Sequence, residues 1–195
     1  MKKFFLFMMI FSFLLFLILP VRSANVTPVK GEAFPDIRLT IPDKAGEREY
    51  LGITGKGNFK LSQIKADLII LEIFSMYCPY CQKEAPIVND LFHAINKRAY
   101  IKDRIRIVGV GAGNTAFEVD VFRNQFNVPF ALSPDESYAV HKVTGEVRTP
   151  YFFVIKKNSD GTNKIIYSKV GSIQDPNQFL DMIVQDSGLK QEAIK

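Results

Sequence analysis

The sequence predicts an α/β fold: a mixed central β-sheet with helices on both faces, behind an N-terminal extension. Three observations predict it. Residues 68–74 and 105–110 are near-continuous apolar runs, the pattern of strands buried on both faces. Between them, residues 81–99 repeat apolar side chains at three- and four-residue spacing, so a crossover helix joins two parallel strands in a right-handed unit. Further on, Asn158-Ser159-Asp160-Gly161 separates two strand-like runs and reads as a hairpin turn, which requires antiparallel pairing.

The elements follow in order. Residues 25–35 are a polar lead-in containing proline. Residues 36–41 alternate, with Ile37, Leu39 and Ile41 on one side, and read as a short edge strand. Residues 42–57 are polar and Gly-rich and read as a hairpin or an irregular loop. Phe59, Lys60 and Leu61 read as a short strand, followed by a turn or one helical turn over residues 62–65. The run at 68–74 holds a single acid, Glu72. Residues 75–80 form a turn. The helix beyond it carries Ala85, Val88, Leu91, Phe92 and Ile95 on one face, with Pro86 expected to kink it. After the strand at 105–110, Gly111-Ala112-Gly113-Asn114 is a loop. Residues 116–126 then read as a helix with Phe117, Val121, Phe122 and Phe126 spaced for one face. Residues 129–132 read as a short strand and 133–136 as a helix start, with Tyr138, Ala139 and Val140 behind it. A polar connection at 144–149 leads to the hairpin strands, 151–155 and 164–170. Asp175, Pro176 and Asn177 open a last helix to about residue 186, with Phe179, Ile183 and Met182 inward.

The chain has 195 residues with 25 Lys+Arg against 20 Asp+Glu, and a net charge of +5 invites an anionic partner. The first residues account for much of that charge. Lys2 and Lys3 precede an apolar stretch over residues 4–19, broken only by Ser12. Val21 and Ser23 satisfy the small-residue rule for cleavage after Ser23. Residues 1–23 therefore read as a signal peptide or, uncleaved, as an anchor, and residues 24–195 as one exported domain. No cysteine lies near the cut, which excludes a lipoprotein signal. Without residues 1–23 the chain keeps 22 basic and 20 acidic residues, so a nucleic-acid partner is not expected. No oligomerisation stripe is visible, and a monomer is expected.

Cys78 and Cys81 are the only cysteines. A disulfide between them closes too short a loop to act as a staple. Placed after a buried strand and at the start of a helix, they read instead as a functional dithiol. Cys78 falls at the helix N-terminus, where free N–H groups and the dipole favour a thiolate. Cys81 lies one turn in, more buried, and within reach of a mixed disulfide formed on Cys78. Pro79 falls where its missing N–H costs nothing. A tetrahedral zinc site needs further ligands. The two histidines, His93 and His141, read as ordinary residues, and no metal is expected.

These residues give the chain its resemblance to the thioredoxin superfamily, and specifically to exported thiol–disulfide oxidoreductases of the TlpA/ResA type. The run from Ser75 to Cys81 looks like the active-site turn of that group, and Gly31-Glu32-Ala33-Phe34-Pro35-Asp36 looks like its opening. The resemblance implies a thioredoxin-like fold and a redox-active Cys78–Cys81 disulfide. It matches Glu72 to a buried acid beneath the dithiol, and Glu84 to the acid that follows the second cysteine. It matches Thr149-Pro150 to a cis-proline facing the dithiol. Substrate contacts are expected at Tyr77, Pro79, Tyr80 and Thr149, and catalytic roles at Cys78, Cys81, Glu72, Glu84 and Pro150. Two features depart from the group's pattern. Tyr77 stands where a Trp is usual, and Pro-Tyr separates the cysteines where Pro usually precedes the second.

The implied activity is reduction of disulfides in exported proteins, in the periplasm, apocytochrome c among the substrates. No cofactor is implied. The partners are protein thiols and disulfides, with a membrane thiol reductase as electron donor. Three alternatives accompany that reading. A thiol oxidant would run the same exchange in reverse. A peroxiredoxin-type peroxidase is suggested by Ser75, three residues before Cys78, although Phe74 stands where that site has Pro. A copper-delivery module would need His141 as a further ligand.

Overall fold

In the computed structural model, residues 26–158 and 160–189 are described, and the segment read as a signal peptide or anchor lies outside them. Five strands form one sheet in the order β5-β4-β3-β6-β7: β3 (Leu68–Phe74), β4 (Ile105–Ala112), β5 (Ala131–Asp135), β6 (Tyr151–Lys157) and β7 (Asn163–Val170). The first three are parallel, as a crossover helix requires. β6 runs antiparallel to β3, and β7 antiparallel to β6, so the sheet is mixed as expected. β1 (Arg38–Thr40) and β2 (Asn58–Lys60) form a separate antiparallel pair.

Two cores sandwich the sheet. On one face, α2 (Pro79–Asn96), α3 (Ala116–Phe126) and α5 (Pro176–Ser187) pack on Leu68, Ile70 and Phe74. On the other, α1 (Ala45–Leu51), α4 (Ala139–Val143) and the β1–β2 pair cover Ile69, Leu71 and Ile73. The alternating side chains of β3 feed both cores, which is why its sequence is apolar without a break except at Glu72. The lead-in lies along the outer edge of β7, where Gly31 donates to Ile165 and Phe34 to Asn163, so that edge is not left open.

Several elements differ from the sequence reading. Residues 42–57 contain α1, a seven-residue helix that Gly46 and the polar neighbours conceal. It ends at Gly52 in the left-handed region (φ 66), whose N–H donates to the carbonyls of Arg48 and Glu49. Its apolar end is paid back by tertiary contact, since Leu51 is buried and the Tyr50 hydroxyl accepts from the Ile107 N–H. The α2 helix begins two residues before the predicted start, because Cys78 is its N-cap and Pro79 its first residue. Pro86 sits inside that span without ending it.

The turn residues Ser133, Pro134 and Asp135 belong to β5, not to a helix. Pairing with β4 extends to Asp135 opposite Ala112. The capping signal acts four residues later, where the Asp135 carboxylate accepts from the N–H groups of Val140 and His141 at 3.1 and 2.9 Å. On α3 the buried face is Val119, Phe122 and Arg123, and Phe117 is 77% exposed. Packing decides this, with the Phe122 ring centred 4.6 Å from that of Phe74 on β3. The Thr115–Glu118 capping box fixes the first turn, and Arg123 turns inward to reach the Phe130 carbonyl and Glu47. In α5, Phe179 and Ile183 are buried as expected, whereas Met182 is 37% exposed.

This distribution gives a direct check. Phe122→Ala should cost about 3–5 kcal/mol of stability, and Phe117→Ala should stay within about 0.5 kcal/mol of the parent in urea unfolding. Equal losses at the two positions would contradict the orientation of α3.

Candidate active site

The site lies where β3 ends. Its last residue, Phe74, leads into a turn in which the Cys78 N–H donates to the Ser75 carbonyl at 3.0 Å. Cys78 then caps α2 and Cys81 lies in its first turn. Cys78 is partly exposed and Cys81 fully buried, and both are free thiols.

The second wall comes from β6. Because β6 pairs antiparallel with β3, Tyr151 lies opposite Ile73, and the residues before it arrive beside the turn. The Thr149–Pro150 peptide is cis. The Cys78 thiol donates to the Thr149 carbonyl at 3.4 Å. A groove of about 470 Å³ opens beside this contact, lined by Tyr80, Glu84, Ile87, Thr149, Pro150 and Ser172 among others.

The two thiols differ in acidity. Burial disfavours the Cys78 thiolate, but hydrogen bonds from the Thr149 side chain, from the Cys81 thiol and from backbone N–H groups of the first helical turn outweigh it, and its pKa is lowered. For Cys81 burial dominates, the charge of Glu72 adds to it, and the pKa is raised. The helix start thus sets the two thiols apart, with the partly exposed one shifted toward the thiolate and the buried one away from it.

Glu72 is buried beneath the dithiol, and its Oε1 has no protein hydrogen-bond partner. Burial first, then the charge of Glu84, push its pKa up to about 8. Glu84 is also buried but is held. Its Oε1 accepts from the Ile173 N–H at 2.7 Å and its Oε2 from the Ser172 hydroxyl. Burial raises its pKa, with those two bonds opposing the shift. The structure therefore brings Glu72, Glu84, Cys78, Cys81, Thr149 and Pro150 together at one end of the sheet. Tyr77 and Tyr80 are 66% and 72% exposed beside them, and Pro79 opens the helix.

At position 77 the phenol takes up its own contact: its hydroxyl donates to Glu118, the residue that also closes the α3 capping box. The sequence reading missed Asn114, Gln82 and Glu118, all of which touch the turn. Asn114 stood in a Gly-rich loop, and only its lone amide among small residues set it apart. The two histidines are structural neighbours elsewhere: His141 Nε2 lies 2.9 Å from the Val147 carbonyl, and His93 packs edge-on to Phe92.

A mixed sheet, a vicinal dithiol at a helix N-terminus and a cis-proline opposite define a thioredoxin-like oxidoreductase fold. Residues 29–183 match the Redoxin family, and the chain belongs to it. Among its relatives, a protein named thiol-disulfide oxidoreductase ResA from Bacillus thuringiensis subsp. konkukian is 23% identical over 150 residues, covering 77% of this chain and 83% of the relative. ResA of Geobacillus thermodenitrificans is 26% identical over 124 residues, 64% of this chain and 67% of its own. Among solved structures, a thiol:disulfide interchange protein DsbE from Chlorobium tepidum superposes with a TM-score of 0.60 at 20% identity, covering 82% of this chain and 98% of that one.

The raised Glu72 pKa has a consequence for stability. Between about pH 5 and about pH 8 the folded protein holds a proton on Glu72 that the unfolded chain has released, so stability falls as pH rises through that window. Glu72→Gln should flatten this fall, measured as urea midpoints at both ends of the window. An unchanged slope would mean that Glu72 ionises normally.

Proposed function

We propose that the protein reduces disulfide bonds of exported proteins by thiol–disulfide exchange at Cys78 and Cys81. The observation that carries this reading is the placement of two free thiols at the start of α2: Cys78 partly exposed at its N-cap, 3.4 Å from the Thr149 carbonyl beside the cis proline, and Cys81 buried in its first turn. The Cys78 thiolate attacks a substrate disulfide. The substrate S–S bond breaks, a mixed disulfide forms on Cys78, and the first substrate sulfur leaves as a thiolate and takes a proton. Cys81 then loses its proton and attacks the Cys78 sulfur. The second substrate thiol is released, and the Cys78–Cys81 disulfide forms. Two electrons and two protons have passed to the substrate.

Each neighbouring group has a task in this scheme. Glu72, with a pKa of about 8, exchanges the proton of Cys81 during the second step. Glu84 sets the charge near Glu72 and supports the loop after β7. An extended substrate segment lies in the groove beside Pro150 and pairs with the backbone of Thr149, between Tyr77, Pro79 and Tyr80. The apolar N-terminal segment supports export to the periplasm, with the domain either released or anchored there as a monomer. A membrane thiol reductase returns the electrons, and apocytochrome c is among the substrates. The names of the relatives support the exchange chemistry.

Turnover of insulin disulfides by the reduced protein tests the reading, together with a reduction potential measured against glutathione. Cys78→Ser should abolish turnover. Cys81→Ser should start exchange and stall as a mixed disulfide visible by mass. Normal turnover by the Cys81 variant would sink the two-thiol scheme. Glu72→Gln should slow the second step and remove its rise toward pH 8. A potential well above that of glutathione would assign the oxidant role instead.

A further inference from the structure

The backbone of Met76, two residues before the nucleophile, is gripped at both its N–H and its carbonyl by side chains. Its N–H donates to Asn114 Oδ1 at 2.9 Å, and its carbonyl accepts from Gln82 Nε2 at 2.8 Å. The two side chains come from different directions, Asn114 from the loop after β4 and Gln82 from the first turn of α2. Asn114 is completely buried and is itself fixed, since its own N–H donates to the Gly111 carbonyl at 3.0 Å. Gly111 leaves it room: a Cβ there would stand 3.1 Å from Asn114 Cβ and Oδ1. A turn residue ordinarily leaves such groups to water. Here a buried amide is committed to one of them, and its Nδ2 has no protein partner.

We propose that Asn114 and Gln82 are positioning residues for Cys78: by holding the N–H and the carbonyl of Met76, and so the two peptides that flank it, they fix the turn that sets the nucleophilic sulfur over the first turn of α2. The chain from clamp to sulfur is short. Met76 is followed by Tyr77 and Cys78, and the Cys78 N–H closes the turn onto Ser75. The hydrogen bonds that favour the thiolate come from the Thr149 side chain, the Cys81 thiol and the backbone of residues 80 and 81, and such bonds weaken steeply once a donor moves out of line. A turn free to rock loosens all of them together. The inference rests on Cys78 being the attacking sulfur.

The test titrates the thiolate by its ultraviolet absorbance in the reduced full-length protein, which needs no partner. Asn114→Ala and Gln82→Leu should each raise the Cys78 midpoint by about half a pH unit or more, with about a three-fold fall in alkylation rate at neutral pH. The potential should move in the reducing direction, because the reduced form loses thiolate stabilisation. The double variant should add less than the sum of the two, since both act on the backbone of one residue. Asn89→Ala is the control. It removes a bond from α2 to the Phe126 carbonyl, so it should lower the melting temperature and leave the midpoint alone. Gln82 is only half-buried, so its variant keeps the test open if the Asn114 variant fails to fold. Unchanged midpoints in folded variants, or an equal shift in Asn89→Ala, would overturn the clamp alone. A low midpoint that survives Cys78→Ser would overturn the nucleophile assignment as well.

Discussion

Everything at the site depends on β3 being paired on both sides and covered on both faces. All seven of its residues are buried. Parallel pairing to β4 brings the loop with Asn114 to the end of the strand, and antiparallel pairing to β6 brings Thr149 and Pro150 there from the other side. The same burial leaves Glu72 in an apolar layer with an oxygen that nothing in the protein satisfies. A carboxylate in that place costs free energy that a neutral acid does not, which is why its proton is held toward alkaline pH.

The dithiol inherits its asymmetry from the same architecture. A helix that begins just past a buried strand puts its first residue at the surface and the next turn against the sheet. Cys78 therefore meets free backbone N–H groups, and Cys81 is buried in the core that also holds Phe74 and the inner face of α2. Two chemically identical side chains, three positions apart, are made unlike by where the helix starts: one stands at its partly exposed N-cap and the other is buried in its first turn.

The surroundings are less uniform than the core. Glu84 is buried yet anchored to the loop after β7, whereas Glu72 is buried and free on one oxygen. That difference suits Glu72 to move a proton and Glu84 to shape the field around it. The Tyr77 phenol, in place of an indole, joins the turn to the capping box of α3, so two neighbouring elements share one carboxylate, Glu118.

Much of this was legible in the chain. The apolar runs fixed β3 and β4 because strands buried on both faces tolerate little else, and the Cys-Pro-Tyr-Cys turn declared the dithiol because so few contexts suit two cysteines at that spacing. Glu72 stood out as the one acid in an apolar strand. Other features depended on contacts that no local pattern encodes. Phe117 and Phe122 both fit a helical stripe, and packing of the Phe122 ring on Phe74, with Arg123 turned inward beside it, chose between them. Ser133, Pro134 and Asp135 carry turn chemistry, yet pairing with β4 holds them in a strand. Asn114 and Gln82 lie 32 residues apart in sequence and meet only at Met76. Local periodicity determined which segments are strands and helices. Register and packing between distant segments decided which side chains face the sulfur, because those contacts exist only once the sheet has closed around β3.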